Sequence, residues 1–177
     1  MINVFFDCEF TKFQEAFDPE PNELISIGCI SDHGQKFYAE NTNFHIEACS
    51  EFVHAVVLPL LEGGDNSMPY SMLAKQLCQY IESFDDGSGQ TNVKMWTDAP
   101  LFDWPHVQHM FDNWGWPANL VRKPIALSFR YSTQTTRFKA GVEDAFKSLQ
   151  PPLRRHHALD DAIANRYGFQ RANDRRY

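Results

Sequence analysis

Ile2 to Phe6 is apolar at every position except Asn3. A run this short, rich in β-branched and aromatic residues, predicts a buried strand. Thr11 to Asn22 is polar, contains Pro19 and Pro21, and predicts a loop. Glu23 to Ser31 and Lys36 to Glu40 predict a second and third strand, closed into a hairpin by the turn Asp32-His33-Gly34-Gln35. The pattern then becomes helical. Ser50 can cap a helix that runs toward Leu58 and stops at Pro59, and Glu62 to Ser67 predicts a loop. Pro69 leads into Leu73, Leu77, Tyr80, Ile81 and Phe84 at helical spacing, until Asp85 to Gln90 breaks the element. Val93 to Trp96 predicts a fourth strand ending at Thr97-Asp98. Trp104, Val107, Met110, Phe111 and Trp114 form the stripe of another helix, ended by Gly115-Trp116-Pro117. Ile125 to Phe129 predicts a fifth strand. Helices are expected over Arg137 to Leu149 and from His157 to Tyr167, separated by Pro151-Pro152. This order predicts one α/β domain over 1–177, a mixed five-stranded sheet with helices on its faces.

The 177 residues suffice for a real core. No apolar run approaches the roughly 20 residues of a membrane helix. The chain enters its first strand with no basic segment, apolar stretch and cleavage site, so a cytoplasmic location and no membrane partner are expected. Cys8, Cys29, Cys49 and Cys78 form no CxxC pair and are expected as reduced thiols. The net charge of −7 argues against non-specific attraction to nucleic acid. The charge is uneven. Residues 1–153 hold 10 Lys+Arg against 20 Asp+Glu, while 154–177 hold 6 Arg against 3 Asp. An acidic body with a basic end can hold a polyanion once metals neutralise the acids; a solvated tail is the plainer reading of Arg171 to Arg176.

The acids carry the chemistry. Asp7 and Glu9 follow the first strand, one residue apart, and in a strand such residues share a face. Two carboxylates that close raise each other's pKa unless a cation separates them, and oxygen ligands suit Mg²⁺ or Mn²⁺. Asp103 sits at a helix start, where it can cap the helix or serve as a further ligand, and Asp98 competes for that second role. A third acidic position lies in Arg154-Arg155-His156-His157-Ala158-Leu159-Asp160-Asp161, where acids can also complement a helix dipole. Helical periodicity pairs His157 with Asp161 and leaves Asp160 and Asp161 unresolved.

Asp7-Cys8-Glu9, Phe102-Asp103 and His156-His157-Ala158-Leu159-Asp160-Asp161, in that order, resemble the motifs of the DEDDh family of 3′–5′ exonucleases. The neighbouring text, Asp7-Cys8-Glu9-Phe10, Glu23-Leu24-Ile25-Ser26-Ile27-Gly28 and Phe37-Tyr38-Ala39, most resembles the small bacterial exoribonucleases of the RNase AS type. The resemblance implies a ribonuclease-H-like fold and release of nucleoside 5′-monophosphates from the 3′ end of single-stranded RNA. It also implies a preference for adenylate tails and a homodimer. The alternatives on the same fold are a single-stranded DNA exonuclease or an inactive nucleic-acid-binding module.

The resemblance further implies two Mg²⁺ or Mn²⁺ ions per site, of the kind that sit about 3.5–4 Å apart and clamp a phosphate. Asp7 would bridge them, Glu9 and Asp161 would complete one site, and Asp103 would hold the other. Its spacing assigns the general base to His156 rather than His157. Phe10 and Thr11, just beyond Glu9, are placed to contact the terminal nucleotide, with a core aromatic as the alternative for Phe10. Two departures bear on substrate choice. Ala99 stands where many relatives carry Asn, and Phe10-Thr11-Lys12-Phe13 replaces a Gly-containing turn. A haloacid-dehalogenase-type phosphatase is disfavoured, because Glu9 stands where that family has Asp. His106 and His109 are expected as surface or satisfied helix residues, and Trp104, Trp114 and Trp116 as core or dimer contacts.

Overall fold

The computed structural model describes residues 1–13 and 21–174. Most of the loop expected between Thr11 and Asn22, with Pro19, lies outside the described residues, as do Arg175 and Arg176 of the basic tail. The chain forms strand β1 (Ile2–Phe10), β2 (Leu24–Ser31), β3 (Lys36–Asn41), β4 (Ser67–Met68) and helix α1 (Tyr70–Glu82). Then follow β5 (Val93–Thr97), α2 (Pro100–Trp114), β6 (Ile125–Ala126), α3 (Ser132–Ser148) and α4 (Ala158–Asn173). The sheet is mixed and six-stranded, in the order β4-β3-β2-β1-β5-β6. β1 to β3 pair antiparallel as a meander, and β4, β5 and β6 add in parallel.

Alternation along β1 divides the core. Val4, Phe6 and Cys8 face a cluster with Leu73, Leu77 and Ile81 of α1 and Val107, Met110 and Phe111 of α2. Phe5 faces the opposite cluster, with Phe138 of α3 and Ala162 and Ala172 of α4. Helices therefore cover both faces of the sheet. β2, buried at every position, is a central strand covered on both sides.

Several element boundaries differ from expectation. The sheet has six strands rather than five, because Ser67–Met68 adds a short edge strand that two residues cannot announce as a pattern. The fifth expected strand shrinks to Ile125–Ala126. The helix expected after Ser50 is irregular. Ser50 Oγ does accept the Val53 N–H at 3.3 Å, but a π-helical turn over Val53–Val57 and a 3₁₀ turn over Leu58–Leu60 follow, with Pro59 inside the latter. α2 starts at Pro100, before the expected cap at Asp103. α3 begins earlier and α4 ends later than the pattern suggests. No described helix is long and apolar enough to cross a membrane. All four cysteines are free.

Gly28 decides how α4 meets the sheet. It lies on β2 opposite Asp7 of β1. A Cβ there would stand 2.1 Å from Leu159 N and 2.2 Å from Leu159 Cα. The missing side chain lets the first turn of α4 rest on the sheet beside Asp7. At the α3–α4 crossing, Gly141 and Gly168 allow a similarly close approach. Gly28→Val should push the start of α4 outward, at about 1–3 kcal/mol for overpacking, and weaken any activity that needs Asp161 near Asp7. A thermal melt and a turnover assay that both match the parent protein would refute this.

Candidate active site

β1 continues through Glu9 and Phe10, so Asp7 and Glu9 are strand residues on the α4 side of the sheet. β5 runs parallel to β1, and its end delivers Thr97 and Asp98 to the same rim. Asp103, one turn into α2, is almost fully buried. Its carboxylate accepts a hydrogen bond from the Thr97 hydroxyl, and that hydroxyl accepts the Ala99 N–H at 2.9 Å. The carboxylate therefore anchors to β5 and does not cap its helix. From α4 comes Asp161, whose Oδ2 accepts the His156 N–H at 2.7 Å.

These groups line one groove of about 340 Å³ with Phe10, Phe13, Phe102, Arg155 and His156. Within it, donor atoms of Asp7, Asp98 and Asp103 all lie within 4.8 Å of one another, as do those of Glu9, His156 and Asp161. Burial first, then mutual repulsion, raises the acids. Glu9 is pushed up to about 8 by burial and by Asp161 and Asp103. Asp103 and Asp161 are each raised to about 7, chiefly by burial. Burial holds Asp7 well above the ordinary range, reinforced by Asp103, Asp161, Glu9 and Asp98. A set of oxygen donors whose negative charge is this poorly compensated fits hard divalent cations. Asn165 Nδ2, also in the groove lining, donates to Asp98 Oδ1 at 2.8 Å and orients that carboxylate.

The two adjacent histidines separate. His156 is exposed in the groove, with the Phe52 ring edge-on at 5.0 Å. His157 is 2% exposed, and its ring stacks on Tyr38 at 4.4 Å, away from the groove. Arg154 Nη2 lies 3.1 Å from His157 Nε2. A guanidinium only donates, so Nε2 is the accepting nitrogen and Nδ1 carries the proton. The lone pair of His157 is thereby occupied, and burial holds its pKa below the usual range. Asp160 also points away, accepting the Arg154 N–H and Nε–H at 3.0 and 2.7 Å.

Phe10 is half-buried at the groove mouth, stacked between Phe102 (centroids 6.3 Å apart) and His106 (5.8 Å), with Phe13 edge-on at 5.4 Å. Phe13 is 68% exposed. Thr11 does not share the position expected for it. It is fully buried, its Oγ1 accepts the Glu23 N–H at 3.0 Å, and it is absent from the described groove lining. The sequence did not single out Phe13, Phe102 or Arg155 as site residues, and it carried Asp98 only as a rival. A signal for Asp98 existed: parallel neighbouring strands present their carboxyl ends to one crevice.

His106 is not the satisfied residue expected. Its buried Nε2 has no partner among the described residues, and burial lowers it to about 4. His109 does bond, through Nδ1 to Tyr70 Oη at 3.2 Å. Trp104 is core, Trp116 packs on the core, and Trp114 is 37% exposed against Tyr70.

No family model matches the chain. Two relatives, the 3′-5′ exoribonucleases Rv2179c and MT2234.1 of Mycobacterium tuberculosis, are each 29% identical over 102 residues, 58% of this chain. The match spans 56% of each relative, so the chain covers about half the length of these proteins. Among solved structures, zinc-bound E. coli ExoI in complex with ssDNA matches with a TM-score of 0.60 at 11% identity, over 99% of this chain and 41% of that one. Cell-death related nuclease 4 (CRN-4) matches at 0.58 and 14%, over 96% and 62%. The nuclease domain of 3′hExo, a DEDDh family member bound to rAMP, matches at 0.54 and 15%, over 94% and 90%. The fold is ribonuclease-H-like.

Proposed function

We propose that the chain is a single-domain, metal-dependent 3′–5′ exonuclease that acts on single-stranded RNA and releases nucleoside 5′-monophosphates. The observation that carries this reading is the meeting of two donor groups, Asp7–Asp98–Asp103 and Glu9–His156–Asp161, in one groove with an aromatic mouth. The names of the two Mycobacterium relatives support both the polarity and RNA as substrate.

Asp7, Asp98, Asp103, Glu9 and Asp161 would hold Mg²⁺ or Mn²⁺, which would neutralise the acids and polarise the scissile phosphate, leaving the His156 imidazole free of metal. The residues do the rest. His156 accepts the proton of the attacking water. Its backbone N–H, bonded to Asp161, keeps that base beside the acids. Phe10, Phe13 and Phe102 offer faces and edges on which terminal bases stack, a sequence-tolerant form of recognition. Arg155, ion-paired with Glu143 at 2.7 Å and lying over the Phe146 ring, brings positive charge to the groove for the phosphate backbone. Phe102→Ala should raise KM about 10-fold with a smaller change in kcat, since stacking on one base is worth roughly 1–3 kcal/mol. An unchanged KM would remove Phe102 from the binding surface.

The deciding experiment uses a 5′-labelled oligoribonucleotide with either a free 3′-OH or a 3′-phosphate. With Mg²⁺ or Mn²⁺, stepwise shortening and mononucleotide release from the free end are expected, with no reaction in excess EDTA. Equal degradation of the blocked strand would overturn the polarity, and full activity in EDTA the metal dependence. Faster attack on DNA of the same sequence would make single-stranded DNA the substrate. A preference for adenylate tails, a homodimeric state and a cytoplasmic location complete the reading by resemblance. Equal rates on poly(A) and poly(C), or a monomer by light scattering, would remove the first two.

A further inference from the structure

His156 is the one non-glycine residue among those described with a left-handed backbone, φ 63°. L side chains adopt this conformation only where the surroundings enforce it. The enforcement comes from the residues on either side. Before His156, Arg154 is fixed to Asp160 through two hydrogen bonds to Oδ2, and its Nη2 donates to Glu62 Oε1 at 2.8 Å. After it, His157 is wedged against Tyr38 and accepts from the same Arg154 Nη2. The anchors are themselves held. Tyr38 Oη donates to Glu40 Oε1 at 3.0 Å, and Glu40, 4% exposed, also accepts the Glu62 N–H at 2.5 Å and the Ser67 hydroxyl at 2.7 Å. Arg154 and His157 thus pin both ends of a two-residue bulge. Arg155 and His156, the residues between, are the ones turned out into the groove, which neither pinning residue lines.

We propose that Arg154 and His157 are positioning residues: a clamp that holds the His156 backbone in its left-handed state and aims the imidazole at the acidic groove. The proposal rests on His156 as the general base. The clamp touches no reacting atom, and its effect on the rate passes chiefly through His156, although the same residues also contact Asp160 and the Asp161 N–H.

A double-mutant cycle separates this role from a merely structural one. His156→Gly is the reference substitution, because glycine takes positive φ freely and carries no base. In the parent protein, His157→Ala should lower kcat about 10- to 100-fold, the scale of a base misplaced by about 1 Å, with KM and Mn²⁺ affinity within about two-fold. In the His156→Gly background, the residual rate should change less than about two-fold when His157→Ala is added, because no imidazole remains to be aimed. The same loss in both backgrounds would overturn the proposal, as the clamp would then be holding Asp161 or the fold. If His157→Ala does not fold, as judged by circular dichroism, Arg154→Met takes its place in the cycle with the same expectations. His156→Gly at full rate would overturn the general-base reading itself, and with it the clamp, an outcome distinct from additive losses.

Discussion

Asp7→Asn should abolish hydrolysis and, at pH 8 in EDTA, give a protein more stable than the parent. Both effects follow from one placement. Asp7 is one of the three donors of the Asp7–Asp98–Asp103 group and lies in reach of the fields of Asp103, Asp161, Glu9 and Asp98. Without its charge, that group loses one of its three donors. The same charge burdens the metal-free fold. Glu9, raised to about 8, and Asp103 and Asp161, raised to about 7, keep protons in the folded protein that the unfolded chain releases near pH 4. The folded state binds more protons, so the stability from this protonation is full below about pH 4. It is lost as pH rises through about 7 to 8. Metal-free protein should therefore melt lower at pH 8 than at pH 5.5, and added Mn²⁺ should raise the melting temperature more at pH 8. Asp7→Asn should lessen both dependences. A parent protein whose melting temperature in EDTA is flat from pH 5.5 to 8 would contradict the buried-charge account. Measurable turnover by Asp7→Asn at the parent rate would contradict the site.

The parts of this site that were legible in the sequence are those set by short-range periodicity. Asp7 and Glu9 share a face because a strand alternates, and Phe5 fixes which face it is. The mixed sheet with helices on both sides followed from the order of strand and helix periods. Elements of two residues, Ser67–Met68 and Ile125–Ala126, carry no period and were missed or overextended. Long-range contacts were equally invisible. Thr11 looked like a substrate contact from its place after Glu9. Its hydroxyl instead accepts the N–H of Glu23, a pairing no local pattern announces. The separation of Asp160 from Asp161 depends on Arg154. Arg154 in turn depends on Glu62, 92 residues earlier. Helical periodicity paired His157 with Asp161. The two do meet, but as the first backbone hydrogen bond of α4, Asp161 N–H to the His157 carbonyl at 3.0 Å. A one-residue change of backbone hand at His156 moves the two imidazoles to opposite sides, and no pattern of apolar positions encodes it.

His156→Ala should lose about 10²–10⁴ of the rate, the usual contribution of a positioned proton acceptor. RNA affinity should persist, since the aromatic mouth and Arg155 are untouched, and so should the acids' affinity for Mn²⁺ to within a few-fold. The neighbouring histidine cannot substitute. Its ring is buried against Tyr38 and its accepting nitrogen faces Arg154. The loss in kcat should therefore be larger for His156→Ala than for His157→Ala, and removing both should cost little more than removing His156. Backbone relief works in the opposite direction. A left-handed residue without a functional side chain prefers glycine, so His156→Gly should be as inactive as His156→Ala but melt higher. Stopped-time assays on a 3′-hydroxyl oligoribonucleotide, paired with melting curves of the same four proteins, test every part of this. If His157→Ala proved the crippled variant and His156→Ala ran at the parent rate, the base would have to reach the groove from the buried ring. The assignment of Asp161 over Asp160 would fall with it, because the two pairs of adjacent residues are sorted by the same turn of chain.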